Sequence, residues 1–172
     1  MTEIPARVIQ PLSADLQPGK MSVVGFLDKG QTLEQVINRD RQALKLLGYT
    51  VREVADLLGP VTEQASNGGN FEYAAQNGKH FEVKVQTWRG SQECPWTDKV
   101  DYRRSNGGID MYVTEKGKGG EPILIAGLIR HLVENHEFFE GGSYRVAPEK
   151  IIEMFGIERI PGSLERVKGL KI

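Results

Sequence analysis

The sequence predicts an α+β fold: an antiparallel sheet of about four strands, built from two consecutive hairpins and covered on one face by an N-terminal helical hairpin and a C-terminal helix. Three observations carry the prediction. Apolar residues recur at helical spacing from Leu33 to Leu58, behind two N-terminal capping signals. From Phe71 the period drops to two, with Asn77-Gly78 and Asn106-Gly107 as turn signals. Helical spacing then returns beyond the glycine-rich residues 116–120.

Length and charge set the frame. A chain of 172 residues fits a single α+β domain over 1–172, with residues 1–30 as an N-terminal arm and 160–172 as a loosely ordered basic tail. The arm holds Pro5, Pro11 and Pro18, which break regular structure, and a strand-like run from Ser22 to Leu27. The 22 basic and 23 acidic residues leave a formal charge of -1, which argues against a broad electrostatic grip on nucleic acid or an anionic membrane. One cysteine cannot staple its own chain. No apolar run approaches the ~18 residues that span a bilayer, and the first residues lack a signal-peptide pattern, so a cytoplasmic protein without membrane contact is expected. No motif calls for a cofactor.

The first helix starts at Thr32, which forms a capping box with Gln35. Leu33, Val36, Ile37, Leu44 and Leu47 make its apolar stripe, with Asp40 as the single polar interruption, and Gly48 ends it. Thr50 and Glu53 repeat the capping box for a helix over 50–58, which Gly59-Pro60 is expected to stop. The thirteen residues from Leu47 to Gly59 resemble the first half of a helix-turn-helix DNA-binding motif. That motif would place a recognition helix directly afterwards; residues 60–70 read instead as a short turn and a Gly/Asn-rich loop.

The strands are expected at about 70–75, 79–88, 99–104 and 109–115. A two-residue turn at Asn77-Gly78 would put the two apolar rows on opposite faces. A three-residue loop, Gln76-Asn77-Gly78 with Gly78 left-handed, instead pairs Tyr73 with Phe81 and Phe71 with Val83. In the second hairpin, a turn at Asn106-Gly107 sets Val100 against Val113, Tyr102 against Met111 and Arg103 against Asp110. Residues 123–125 lead into a helix over 126–138, with His136 near the middle of its apolar face and His131 on a flank. Pro148 opens a last helix that buries Ile151, Ile152, Met154 and Phe155.

Chemistry is most concentrated between Trp88 and Asp98, where both tryptophans and Cys94 lie within nine residues. Cys94 with His131 or His136 is the sharpest catalytic candidate, because a thiol needs a neighbouring base to become a nucleophile. Cys94 and His136 are also the metal candidates, with His80, His131, Glu137 or Glu140 as further donors. His131 and His136 stand ~140° apart around a helix, a spacing expected to keep them off one ion. A recognition surface is the third possibility, carried by Trp88, Arg89, Trp96, Tyr102, Arg103, Arg104, Tyr144 and Arg145.

Three functions are expected, in this order: a non-enzymatic module that binds a protein partner or itself as a homo-oligomer; a Cys/His-dependent enzyme or metal protein; and a nucleic-acid binder using the helical hairpin or the arginine-aromatic face.

Overall fold

Both capping boxes form and fix where the helical layer begins. The backbone N–H of Gln35 donates to the Thr32 hydroxyl at 3.2 Å, and the Thr32 N–H donates to the Gln35 side chain at 2.9 Å. Thr50 and Glu53 repeat the exchange at 3.2 and 2.9 Å. The computed structural model describes residues 10–90, 92–96 and 108–172. Its elements are α1 (Leu33–Leu47), α2 (Val51–Ser66), β1 (Phe71–Ala74), β2 (His80–Thr87), β3 (Ile109–Glu115), β4 (Ile123–Ala126), α3 (Ile129–His136), α4 (Pro148–Phe155) and α5 (Ser163–Lys168). Four antiparallel strands in the order β1-β2-β3-β4 make one open sheet, against which the N- and C-terminal helices pack, so the α+β class predicted from sequence holds.

The β1–β2 hairpin has the bulged register. Tyr73 pairs with Phe81 and Phe71 with Val83, and Gly78 takes φ 83°. Phe81, Val83, Met111, Val113 and Ile125 face the helices and are buried, while Glu82, Lys84 and Gln86 on the other face are exposed. Phe155 of α4 meets Tyr73 and Phe81 edge-on, with centroids at 5.6 and 5.3 Å. The Asn77 amide donates to the Met154 carbonyl at 3.0 Å, locking the turn to the end of α4.

The second hairpin differs from expectation. The predicted strand 99–104 lies outside the described residues. Both edges of β3 are taken by other strands: Val113 lies between Val83 and Ile123, and Met111 between Val85 and Ile125. The fourth strand is therefore β4, which sequence spacing assigned to the run-up of a helix. Four apolar residues directly before a helical pattern fit either state, and only tertiary pairing decides between them. Thr87 pairs with Ile109, so residues 88–108 connect β2 to β3 at the end of their ladder.

Helix α2 also runs past its expected stop. Val54, Leu58, Val61 and Ala65 form one buried stripe that continues across Gly59-Pro60. A proline inside a helix costs ~3 kcal/mol, and the burial of Val61 and Ala65 works against that cost. The Thr62 hydroxyl donates to the Leu58 and Gly59 carbonyls at 2.8 and 2.9 Å beside the proline. The element after α2 is β1, so no recognition helix succeeds the helix-turn-helix-like segment. Two further expectations fail. Residues 21–27 form bends rather than a strand, and the tail contains α5, whose Val167 is fully buried.

A second apolar cluster sits beside the main core. Leu16, Phe26 and Leu27 of the arm pack there with Leu33 and Val36 of α1, Cys94, Trp96, Leu128, Leu132 and Phe138. Between the helices runs a buried ion network. Arg145 donates to both oxygens of Asp40, at 2.6 and 3.0 Å, and to the Glu140 carbonyl at 2.6 Å. Arg39 meets Asp40 at 3.2 Å and grips the Glu149 carboxylate with both terminal nitrogens. Burial pushes the Asp40 carboxyl up from its usual range, while the Arg145 and Arg39 guanidiniums pull it back. Removing Arg145 would leave Asp40 buried with half its counter-charge. Arg145→Ala is expected to destabilise by roughly 3–5 kcal/mol. Arg41→Ala, which removes an ion pair whose side chains are 60% and 42% exposed, is expected to cost less than ~1 kcal/mol. Urea unfolding of the two variants measures the contrast.

Candidate functional site

Cys94 and the two histidines of α3 come together. The Cys94 sulfur lies 3.2 Å from His136 Nε2. One donor atom from each of Cys94, His131 and His136 lies within 4.8 Å of the other two. The expectation that five-residue spacing keeps His131 and His136 apart is therefore corrected: their rings meet edge-to-face with centroids at 5.3 Å. The ~140° separation describes the backbone, and the imidazole side chains close it beside Cys94. His136 is also the last helical residue before Glu137 turns left-handed, at φ 54°.

The surroundings hold these rings in place. Trp96 stacks on His136 with centroids at 4.4 Å and planes 7° apart, and leans on Phe138 at 5.3 Å. The Asn135 amide donates to the His131 backbone carbonyl at 3.0 Å and contacts Nδ1 of the same residue at 3.1 Å. Cys94 is 2% exposed, while both histidines keep some contact with solvent. The stretch that concentrates rare residues in the sequence thus feeds two of them, Cys94 and Trp96, into one apolar cluster against α3.

One sulfur and two imidazole nitrogens form a donor set suited to a borderline or soft metal ion. Zinc bonds of ~2.3 Å to sulfur and ~2.0–2.1 Å to nitrogen place tetrahedral ligand atoms ~3.3–3.6 Å apart. The Cys94–His136 separation of 3.2 Å is already close to that range, and the remaining separations need to close by about 1.5 Å at most. Without metal, the same pair is a thiol beside a base, the first requirement for a nucleophile.

The other residues singled out from sequence separate into groups. Trp88 is 52% exposed and its indole N–H donates to the Asp110 carboxylate at 2.8 Å. Arg89 is exposed. Trp96 is buried on His136, Tyr144 is half-buried, and Arg145 is engaged with Asp40. Tyr102, Arg103 and Arg104 lie outside the described residues. His80 is exposed on β2, away from the cluster of Cys94, His131 and His136.

Sequence reasoning missed a pair of buried carboxyl groups. Asp110, expected on the wet face of a hairpin, is 5% exposed, and Glu140 is fully buried with φ 59°. Neither Glu140 side-chain oxygen has a hydrogen-bond partner among the described residues. Burial, and then the nearby Asp110 charge, push the Glu140 carboxyl up from 4.5 to about 8; burial also raises Asp110, against the pull of the Trp88 N–H. The sequence signal was the run Phe138-Phe139-Glu140-Gly141-Gly142, a carboxylate set directly after two core aromatics.

No family model matches the chain, and no curated protein or solved structure is significantly similar to it.

The buried Glu140 has a consequence for pH. Between its ordinary value of 4.5 and about 8, the unfolded chain has released a proton that the folded chain still holds. Its contribution to stability is therefore complete below the lower value and is lost as pH rises through the upper one, by up to ~1.4 kcal/mol per pH unit. Glu140→Gln carries no ionisable group, so its stability relative to the parent protein should climb from about pH 5 to about pH 8. Urea midpoints across that range check this, and parallel curves would contradict it.

Proposed function

We propose that the protein is a metal-binding protein whose centre is Cys94, His131 and His136, with zinc as the best-suited ion. The observation that carries this reading is the convergence of three donor atoms, from a loop and a helix, within 4.8 Å. Sulfur with two imidazoles disfavours magnesium and calcium, which prefer oxygen. Three protein ligands leave one tetrahedral position for water or substrate, the pattern of catalytic rather than structural zinc sites. Trp96, stacked on His136, would hold that ligand's ring angle and keep the sulfur side dry.

A second reading, a thiol–imidazole enzyme, is favoured by the 3.2 Å contact between Cys94 and His136. The burial of Cys94 at 2% exposure weighs against it, because a nucleophile must reach its substrate. Recognition of a protein partner, first among the sequence expectations, keeps Trp88 and Arg89 as exposed members.

Elemental analysis of tag-free protein purified without chelator is expected to find about one zinc per chain. Cobalt substitution should give a thiolate-to-cobalt charge-transfer band that Cys94→Ala abolishes. His131→Ala and His136→Ala should each weaken metal affinity by more than the ~10–100-fold typical of losing an outer-shell partner. Reduced protein that takes up neither zinc nor cobalt would overturn the metal reading; iodoacetamide labelling of Cys94 that depends on His136 would then support the thiol enzyme.

A further inference from the structure

Asp110 lines a second feature, separate from the donor atoms of the Cys/His centre. A cavity of about 590 Å³ opens between the N-terminal arm and the start of the 88–108 connection, walled by Met21, Val23, Phe26, Trp88 and Tyr144 with Asp110 among them. That volume is in the range of sites for small organic molecules. Gly108 lines the same cavity at φ 70°, packed so tightly that a Cβ there would stand 2.3 Å from the Gly90 carbonyl oxygen and 2.6 Å from that of Trp88. The wall around Trp88 is therefore built on backbone in close contact.

Among the described residues, no cationic side chain meets Asp110 at the buried end of this cavity. Arg89 and Glu93, both exposed, carry opposite signs at the wall. Asp110 is 5% exposed, and its one side-chain hydrogen-bond partner among the described residues is the neutral Trp88 indole. Glu140 is fully buried with both oxygens unpartnered among the described residues; the Asp110 charge bears on it, and both carboxyl groups bear on Tyr144 of the cavity wall. The Arg145 guanidinium reaches the Glu140 backbone carbonyl but is committed to Asp40. Glu140 holds its proton up to about pH 8, so at neutral pH the charge at this end belongs to Asp110, and a buried carboxylate with no counter-ion among the described residues is costly. A cation bound in the cavity would relieve that cost, and the Trp88 and Tyr144 rings would add cation–π attraction. Hard metal ions demand many oxygen ligands, which this mostly apolar wall does not supply.

We propose that the cavity binds a small organic ammonium ion, with the charged head on Asp110 and an apolar body against Trp88, Tyr144 and Phe26. This site is independent of the metal reading, and its test uses chelator-treated full-length protein so that the two can fail separately. The probes are phenethylammonium, its uncharged counterpart 2-phenylethanol and its anionic counterpart 3-phenylpropionate, titrated calorimetrically. The ammonium ion should bind saturably and at least about tenfold more tightly than the alcohol, a gap of ~1.4 kcal/mol, and the carboxylate should not bind. Asp110→Asn, which keeps an acceptor for the Trp88 N–H, should remove that preference. Val24→Trp, which fills the cavity from a 40% exposed wall position, should block the ammonium ion without touching a charged group. Equal binding of alcohol and ammonium, unchanged affinity in both variants, or no saturable binding at millimolar probe would overturn the proposal.

Discussion

The arrangement of this protein depends on one buried carboxylate. Asp40, 1% exposed, sits on α1 where an apolar residue would ordinarily belong, and two guanidiniums converge on it. Arg145 belongs to the segment between α3 and α4, and Arg39 carries the link on to Glu149 at the start of α4. The segment it anchors holds two left-handed non-glycine residues, Glu137 and Glu140, and the buried pair Phe138 and Phe139. Left-handed conformations at such residues cost ~1–3 kcal/mol each and persist only where surrounding structure enforces them. The ion network reaches this segment at the Glu140 carbonyl, which accepts from Arg145, and so braces the turn that follows α3 and His136.

From that anchor the two sites follow in sequence. The close of α3 presents His136 to the loop bearing Cys94 and Trp96, and the next turn carries Glu140 behind Asp110. The stretch from Trp88 to Trp96 belongs to both: Trp88 at one end caps the Asp110 carboxylate, and Cys94 near the other meets the imidazoles. One loop thus couples an acidic, aromatic-walled cavity to a sulfur–nitrogen cluster. A substitution that repacks Phe26 of the arm would be felt at both, since Phe26 lines the cavity and packs in the Cys94 cluster.

Local chemistry was legible in the sequence; chain-distant pairing was not. Thr32–Gln35 and Thr50–Glu53 could be read because a capping box is complete within four residues. The Tyr73–Phe81 register could be read because only one of the two loop lengths keeps both apolar rows on one face. Residues 123–126 were ambiguous because a short apolar run acquires its identity from the strand beside it. Gly59-Pro60 misled because local breaker strength is weighed against burial of Val61 and Ala65, which depends on distant parts of the chain. Asp40 stood out as an interruption, yet its partner Arg145 lies 105 residues further on, and Glu149 lies 110 beyond Arg39. The Cys94–His136 contact spans 42 residues, and helical-wheel angles describe where a side chain leaves the backbone rather than where its ring ends.

Strand length bears on how copies of this chain can meet. The interior strands β2 and β3 have eight and seven residues, whereas the edge strands β1 and β4 have four each. An edge of four residues exposes few unpaired backbone groups, so it makes a poor template for another chain to extend. The apolar run Ile123-Leu124-Ile125, the kind of segment that seeds cross-β stacking, is kept short by α3 beginning at Ile129. The sheet is thus protected against edge-to-edge aggregation by brevity, and copies of this chain that do associate have side-chain surfaces rather than backbone ladders to use.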